Sequence, residues 1–417
     1  MTAPPAKKMK IVISGHEICG LIHDLAEELR RRGNEVTTIA LAHRFFPYSY
    51  DYDQYDLPVS LLGKRYGGTE VWRTAFKALW EVNSGWHKSV ETRLRLSLLQ
   101  DTDLYIRVWG LIPFDREVLS VLEKRGTRVA SLLMGSDVRD YQVFAQQYSV
   151  TPMELPPQYE SQSLAQKLDA LRTHERYAHA IFSVPDQMGL ALRPYHHLQV
   201  PLKLSEFQFN VPGREVPKVV HAPSAPLVKG TDKIEAALSV LRDEGCEFEF
   251  VSLRDCTHSQ VLAVLSDADL VVDELVTHGP GWLSFEGMAS GCAVATRYLE
   301  DSPAVFRPPV VAIDENNLVD ELRRLLKDRA LRVRLANEGR RYVEENNGID
   351  HVVTMLLDKV ERGNAGTVDY TPTFLRDQYI PKNDDEVRTI NAANALVSQE
   401  VWYRSDIAGH SRNGLVF

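Results

Sequence analysis

The hydrophobic pattern opens with Lys10-Ile-Val-Ile-Ser14, an unbroken apolar run of the kind that forms a strand buried on both faces of a parallel sheet. A glycine-bounded turn, Gly15–Gly20, leads into Leu21–Arg32, where Leu21, Leu25 and Leu29 recur at helical spacing. Gly33 ends that helix, and Glu35–Leu41 returns as a strand. Strand, turn, helix, turn, strand is a βαβ unit. The pattern resumes with strands at Leu104–Val108 and Arg128–Leu133 around a helix at Arg116–Arg125. A helix at Ser161–Ala178 and a strand at Ala180–Ser183 follow.

A second α/β series starts after Asn210-Val-Pro-Gly-Arg-Glu-Val-Pro217, whose two prolines and glycine suit a linker. The spacing predicts strands at Lys218–Ala222, Phe248–Ser252, Asp269–Val272, Cys292–Thr296 and Val310–Ala312. Helices are predicted at Asp232–Glu244, Thr257–Ala268, Asn317–Lys327, Ala330–Glu345 and Ile349–Arg362. The chain therefore reads as α/β, with domains at 1–212 and 213–362. A tail, 363–417, stays unassigned apart from a helix expected over Asn391–Arg404. Residues 42–101 carry many aromatics, Phe45, Tyr48, Tyr66, Trp72 and Trp80 among them, which suit packing or a dimer surface better than sugar stacking.

Composition narrows the function classes. A chain of 417 residues exceeds one ordinary core, and a net charge of -9 disfavours general nucleic-acid binding. No apolar run reaches the roughly 18–20 residues of a membrane span. The beginning lacks a signal-peptide apolar segment, and the four cysteines form no CxxC pair, so the expected address is cytoplasmic. Asp51-Tyr-Asp53, Asp101-Thr-Asp103 and Asp267-Ala-Asp269 match an acidic metal signature by letters alone. His196-His197 lacks a carboxylate at ligand spacing and reads as surface packing, so no metal site is assigned.

The stretch with the most chemistry is His278-Gly-Pro-Gly-Trp-Leu-Ser-Phe-Glu-Gly-Met-Ala-Ser-Gly291, set between two apolar strands. A glycine loop that opens a helix after a strand presents backbone N–H groups and the positive end of a helix dipole, which suits an anion. Glu286, one turn in, is placed to accept hydrogen bonds from sugar hydroxyls.

Three blocks in order, His221-Ala-Pro-Ser-Ala-Pro-Leu-Val-Lys-Gly-Thr-Asp232, Ala268–Asp273 and Gly281–Gly291, resemble the donor half of GT4-type retaining glycosyltransferases. Met134-Gly-Ser-Asp-Val-Arg139 and the Gly15–Gly20 loop with its helix resemble the acceptor half. The resemblance implies a GT-B architecture, two Rossmann-like domains facing a central cleft. It implies transfer of a sugar from a nucleoside-diphosphate donor, UDP or GDP type, to a hydroxyl on a glycan, lipid, metabolite or protein. No other cofactor and no metal is implied, and a homo-oligomer stays open.

The donor residues it implies are Ser224, Lys229, Gly230, Gly279, Gly281, Trp282, Leu283 and Glu286, with Gly20 from the first loop. Lys229, Glu286, His278 and His16 would stand closest to the chemistry. The sequence departs from the family at three points. His278 replaces the first glutamate of the E-x7-E pair, no arginine precedes Lys229 in Pro223-Ser-Ala-Pro226, and Met134 stands where a histidine is frequent. Two alternatives follow: a catalytically silent partner or scaffold protein, and a nucleotide-sugar epimerase or hydrolase on the same fold.

Overall fold

The computed structural model describes residues 8–41, 53–55, 93, 96–109, 115–135, 137–149, 162–211, 213–254, 256–299, 303–363, 366–397 and 413–417. Most of the aromatic segment 42–101 lies outside the described residues. The chain forms two compact units, Met1–Leu198 with Leu356–Phe417, and Gln199–Met355.

Unit 1 is built on a seven-stranded parallel sheet of order β3-β2-β1-β4-β5-β6-β7. Its strands are β1 Lys10–His16, β2 Glu35–Leu41, β3 Gln54–Tyr55, β4 Leu104–Val108, β5 Arg128–Leu132, β6 Ala180–Ser183 and β7 His196–His197. Ile11, Val12 and Ile13 are fully buried, which accounts for the unbroken apolar run at β1. The helices are α1 Leu21–Arg31, α2 Asp115–Arg125, α3 Tyr141–Tyr148 and α4 Leu164–Tyr177. Helix α3 is absent from the sequence expectation because its apolar signal is short. Asp140 starts it by accepting the amides of Gln142 and Val143.

Unit 2 carries a five-stranded parallel sheet of order β12-β11-β10-β8-β9. Its strands are β8 Lys218–His221, β9 Glu249–Ser252, β10 Leu270–Val272, β11 Ala293–Thr296 and β12 Val311–Ala312. The helices are α5 Pro226–Lys229, α6 Thr231–Asp243, α7 His258–Leu265, α8 Trp282–Ser290, α9 Leu318–Lys327 and α10 Arg329–Asn346, followed by α11 Ile349–Arg362. The apolar face expected on α6, Ile234, Ala237, Leu238 and Leu241, is the buried one.

Both sheets are doubly wound. The strand order reverses between β1 and β4 in unit 1 and between β8 and β10 in unit 2. Open α/β sheets bind ligands where their order reverses, beyond the carboxyl ends of the strands.

The unit boundaries differ from those set on sequence at 212/213 and 362/363. Val200 and Leu202 belong to a core cluster of unit 2. The Leu202 amide donates to the Asn347 carbonyl at 2.7 Å, and the Asn347 side chain donates to the Val200 carbonyl at 2.8 Å. The segment beyond 363 packs into the core of unit 1 through Phe374, Leu375, Tyr379, Ile390, Val397, Leu415 and Phe417. Its helices are α12 Phe374–Asp377 and α13 Asp384–Asn394. Helix α13 begins earlier than expected because Asn383 caps it, accepting the Glu386 amide at 2.9 Å. Residues 398–404 of the expected helix lie outside the described residues.

The histidine pair is corrected too. His196 is buried, not on the surface, and the fold brings Asp369 to it. The His197 amide donates to Asp369 Oδ2 at 2.9 Å, and the His197 ring meets the Tyr370 hydroxyl at 2.8 Å.

Candidate functional site

A group of polar side chains in unit 2 stands at the switch point of its sheet. Strand β8 ends at His221, whose buried ring bridges the Val272 carbonyl at 2.8 Å and the Thr231 hydroxyl at 2.9 Å. Burial holds its imidazole pKa below the usual range, against the raising effect of the Val272 carbonyl and Asp273. The ring thus ties β8, β10 and the first turn of α6 together. The short helix α5 ends at Lys229, and Gly230 then turns the chain with φ +73. A side chain at Gly230 would also meet Leu275 Cβ at 2.9 Å, so both torsion and space require glycine.

Lys229 meets two carboxylates. Its Nζ lies 2.7 Å from Asp273 Oδ1 and 2.5 Å from Glu274 Oε1. Burial alone would lower the ammonium's pKa, but attraction to Asp273 and Glu274 outweighs it and holds the pKa above the usual lysine value. Asp273 is fully buried, and its other oxygen accepts the Gly281 amide at 3.1 Å and the Ser284 hydroxyl at 2.7 Å. Burial raises the Asp273 pKa, yet Lys229 and the hydrogen bonds keep it below the usual carboxylate range. Among the described residues, Glu274 takes one further side-chain donor, the Thr277 hydroxyl. One ammonium against two carboxylates leaves the group one negative charge.

Gly281 opens α8 and faces this group. A Cβ there would lie 2.9 Å from Asp273 Oδ2 and 3.0 Å from both Glu274 Oε1 and Lys229 Nζ. The glycine is what lets the loop pass the charges. Trp282 and Leu283 form the first turn of α8, where amides lack partners within the helix. Glu286, one turn on, is buried, and its Oε1 lies 2.6 Å from His258 Nε2 at the start of α7. The Gly279 amide donates to the Arg297 carbonyl at 2.7 Å, and the Gly279–Pro280 peptide is cis. His278 is half-buried in the same loop, and Ser224 is exposed between β8 and α5.

Of the residues named from sequence, Lys229, Gly230, Gly279, Gly281, Trp282, Leu283, Glu286 and His278 thus fall in or beside one loop–helix assembly. His16 and Gly20 lie in unit 1. The His16 ring packs edge-on against Trp109 at 5.2 Å, across the switch point of that sheet. Gly20 precedes α1 with φ +81, and the carboxylate of Glu17 accepts the Ile18, Ile22 and His23 amides there. At Met134–Arg139 the Asp137 carboxylate accepts the Met134 and Gly135 amides, and Arg139 pairs with Asp186 at 3.0 Å. In each of these three glycine loops backbone amides meet a carboxylate of the chain itself: Glu17, Asp137 or Asp273.

Sequence reasoning missed Asp273 and Glu274 as site members, along with His221, His258 and Ser284. The signal for the first two was legible. Two carboxylates follow directly on the buried run Leu270–Val272, at the carboxyl end of a parallel strand.

Residues 230–358 match the family model described as Glycosyl transferase-like. Among solved structures the chain is similar to a sucrose-phosphate synthase from Thermosynechococcus elongatus, at 13% identity and a TM-score of 0.54. The likeness covers 86% of this chain and 100% of that one. The chain carries the GT-B glycosyltransferase fold. A glycosyltransferase from Rickettsia africae is similar at 10% identity and a TM-score of 0.52, with 86% and 100% of the two chains covered. TarM is similar at 11% identity and 0.51, with the same coverage. At such identities the likeness is one of fold. A comparison with curated proteins finds no match. Among the described residues of this GT-B chain no helix is long and apolar enough to cross a membrane.

Proposed function

We propose that the protein is a retaining, GT4-like glycosyltransferase that moves a sugar from a nucleoside-diphosphate donor to a hydroxyl acceptor. The observation that carries this reading is the clustering of Lys229, the α8 amino end and Glu286 at the switch point of a sheet whose unit matches a glycosyl transferase-like family. Lys229 and the amides of Trp282 and Leu283 would stabilise the negative charge of the departing diphosphate. Glu286 would hold ribose hydroxyls through Oε2, its Oε1 being engaged by His258. The loop Gly279–Leu283 would line the sugar pocket.

In the reaction the bond from the anomeric carbon to the donor phosphate breaks, and the acceptor oxygen bonds to that carbon on the same face. The acceptor's proton passes to the departing phosphate oxygen, which serves as base, so no carboxylate nucleophile is required. His16 and the Met134–Arg139 loop are assigned to the acceptor.

A second reading has its own support. The group around Lys229 carries a net negative charge, and His278 stands where a carboxylate would hold the sugar, which suits a catalytically silent partner. Incubating the protein with UDP-, GDP- and ADP-sugars and a mixed hydroxyl-acceptor pool, with product masses recorded, separates the two. A glycosylated product lost in Glu286→Ala supports transfer. Nucleotide binding without product, or free sugar alone, contradicts it.

A further inference from the structure

The Lys229 ammonium is shared by two carboxylates that are held very differently. Asp273 is fully buried and accepts from Lys229, Gly281 and Ser284, so moving it would break the bonds that hold Gly281 and Ser284 and strand a charge in the core. Glu274 is partly exposed, at 14% for its side chain, and among the described residues the Thr277 hydroxyl is the one side chain besides Lys229 that holds it. A diphosphate brought to this ammonium would add charge to a group that is already net negative. Like charges within a few ångström repel by several kcal/mol at the effective dielectric of a partly buried site. One carboxylate has to leave, and the contacts decide which.

We propose that Glu274 is an affinity-setting residue of the donor site. Its carboxylate holds the place on Lys229 that a donor phosphate takes, and donor binding displaces it. This rests on the donor-site reading above. Glu274 acts as a built-in competitor, lowering affinity for any diphosphate and leaving contacts to the base and ribose untouched. The Thr277 hydroxyl, already bonded to Oε2, gives the displaced carboxylate a resting partner on the same loop. Gly281 leaves room for the exchange, because any Cβ there would touch both Glu274 Oε1 and Lys229 Nζ.

The test is calorimetric titration of the full chain and of Glu274→Gln with UDP, GDP and ADP, and with the corresponding nucleosides. Glu274→Gln is expected to tighten the Kd of the preferred diphosphate about tenfold while leaving its nucleoside unchanged. Unchanged diphosphate affinity overturns the proposal and leaves the donor site standing, with the phosphate using the third N–H of Lys229. Weaker diphosphate binding also overturns it, making Glu274 a support for the lysine. If no nucleotide binds either form, the donor-site reading falls and this inference falls with it. Thermal melts of both forms establish that each is folded.

Discussion

His258 Nε2 lies 2.6 Å from Glu286 Oε1, joining the first turn of α7 to the second turn of α8. The pair fixes one oxygen of a buried carboxylate, and on the donor-site reading the other holds ribose. His258→Ala is expected to weaken nucleotide binding about 10- to 150-fold, in line with about 1.5–3 kcal/mol for a hydrogen bond to a charged group. His258→Gln, which can still donate, is expected to recover most of that loss. Titration with the preferred diphosphate checks both.

The Lys229–Asp273 pair is expected to matter for stability as well as for binding. Lys229→Met leaves Asp273 fully buried without its counter-ion, a change that costs on the order of 3–5 kcal/mol. Urea unfolding should show a lower midpoint with an unchanged slope.

Gly281→Ala places a methyl within 3.0 Å of three charged side-chain atoms, one of them on the immobile Asp273. Overpacking of this kind costs about 1–3 kcal/mol. The larger effect is expected in the titration, as a loss of diphosphate affinity greater than the loss of nucleoside affinity.

Acid should destabilise the fold from near pH 6.5 downward. Burial lowers the pKa of His174 to about 3 and that of His197 to about 4, against an ordinary 6.5. Arg107 lowers His174 further, while Asp369 partly opposes the shift at His197. The unfolded chain takes up protons below pH 6.5 that the folded chain refuses until those lower values. Stability is therefore full above about 6.5 and declines as pH falls, by up to about 1.4 kcal/mol per unit for each ring. Asp369, lowered to about 2 by His196, the His197 amide and Lys359 against the effect of burial, adds a second loss between 3.8 and about 2. Melting temperature measured from pH 8 to 4 should fall, and His197→Gln should flatten part of the slope.

How far the sequence reveals this molecule depends on the kind of signal. Strands buried on both faces were legible because apolar residues dominate them: Leu104–Val108, despite the buried Arg107, and Ala180–Ser183 fall where the pattern places them. So was helix Ile349–Arg362. Helix α3, fixed by a cap, was not, since two turns carry too little periodicity, and α13 was expected too late in the chain because its capped start at Asn383 went unread. The loop, Lys229 and Glu286 were legible as a candidate group. Its electrostatics were not, because the pairing of Lys229 with Asp273 and Glu274 spans 44 and 45 positions and depends on which strands are neighbours. His258 and Glu286 meet for the same reason, 28 positions apart.

The tail tests the fold of unit 1. Leu375, Ile390 and Leu415 are almost fully buried in its core, and the Asn394 side chain accepts from the buried Arg172 at 3.0 Å. Each such apolar side chain contributes about 1.5–3 kcal/mol. Ending the chain at Gly363 is therefore expected to leave unit 1 insoluble or molten, seen as lost near-ultraviolet dichroism.

The central claim is that unit 2 holds a nucleoside diphosphate between Lys229 and the amino end of α8. The most direct measurement is a structure of the full chain soaked with the diphosphate that raises its melting temperature most. The account predicts the β-phosphate within hydrogen-bonding distance of Lys229 Nζ and of the Trp282 or Leu283 amide, with ribose on Glu286. A diphosphate bound elsewhere, with Lys229 still closed on Asp273 and Glu274, would contradict it.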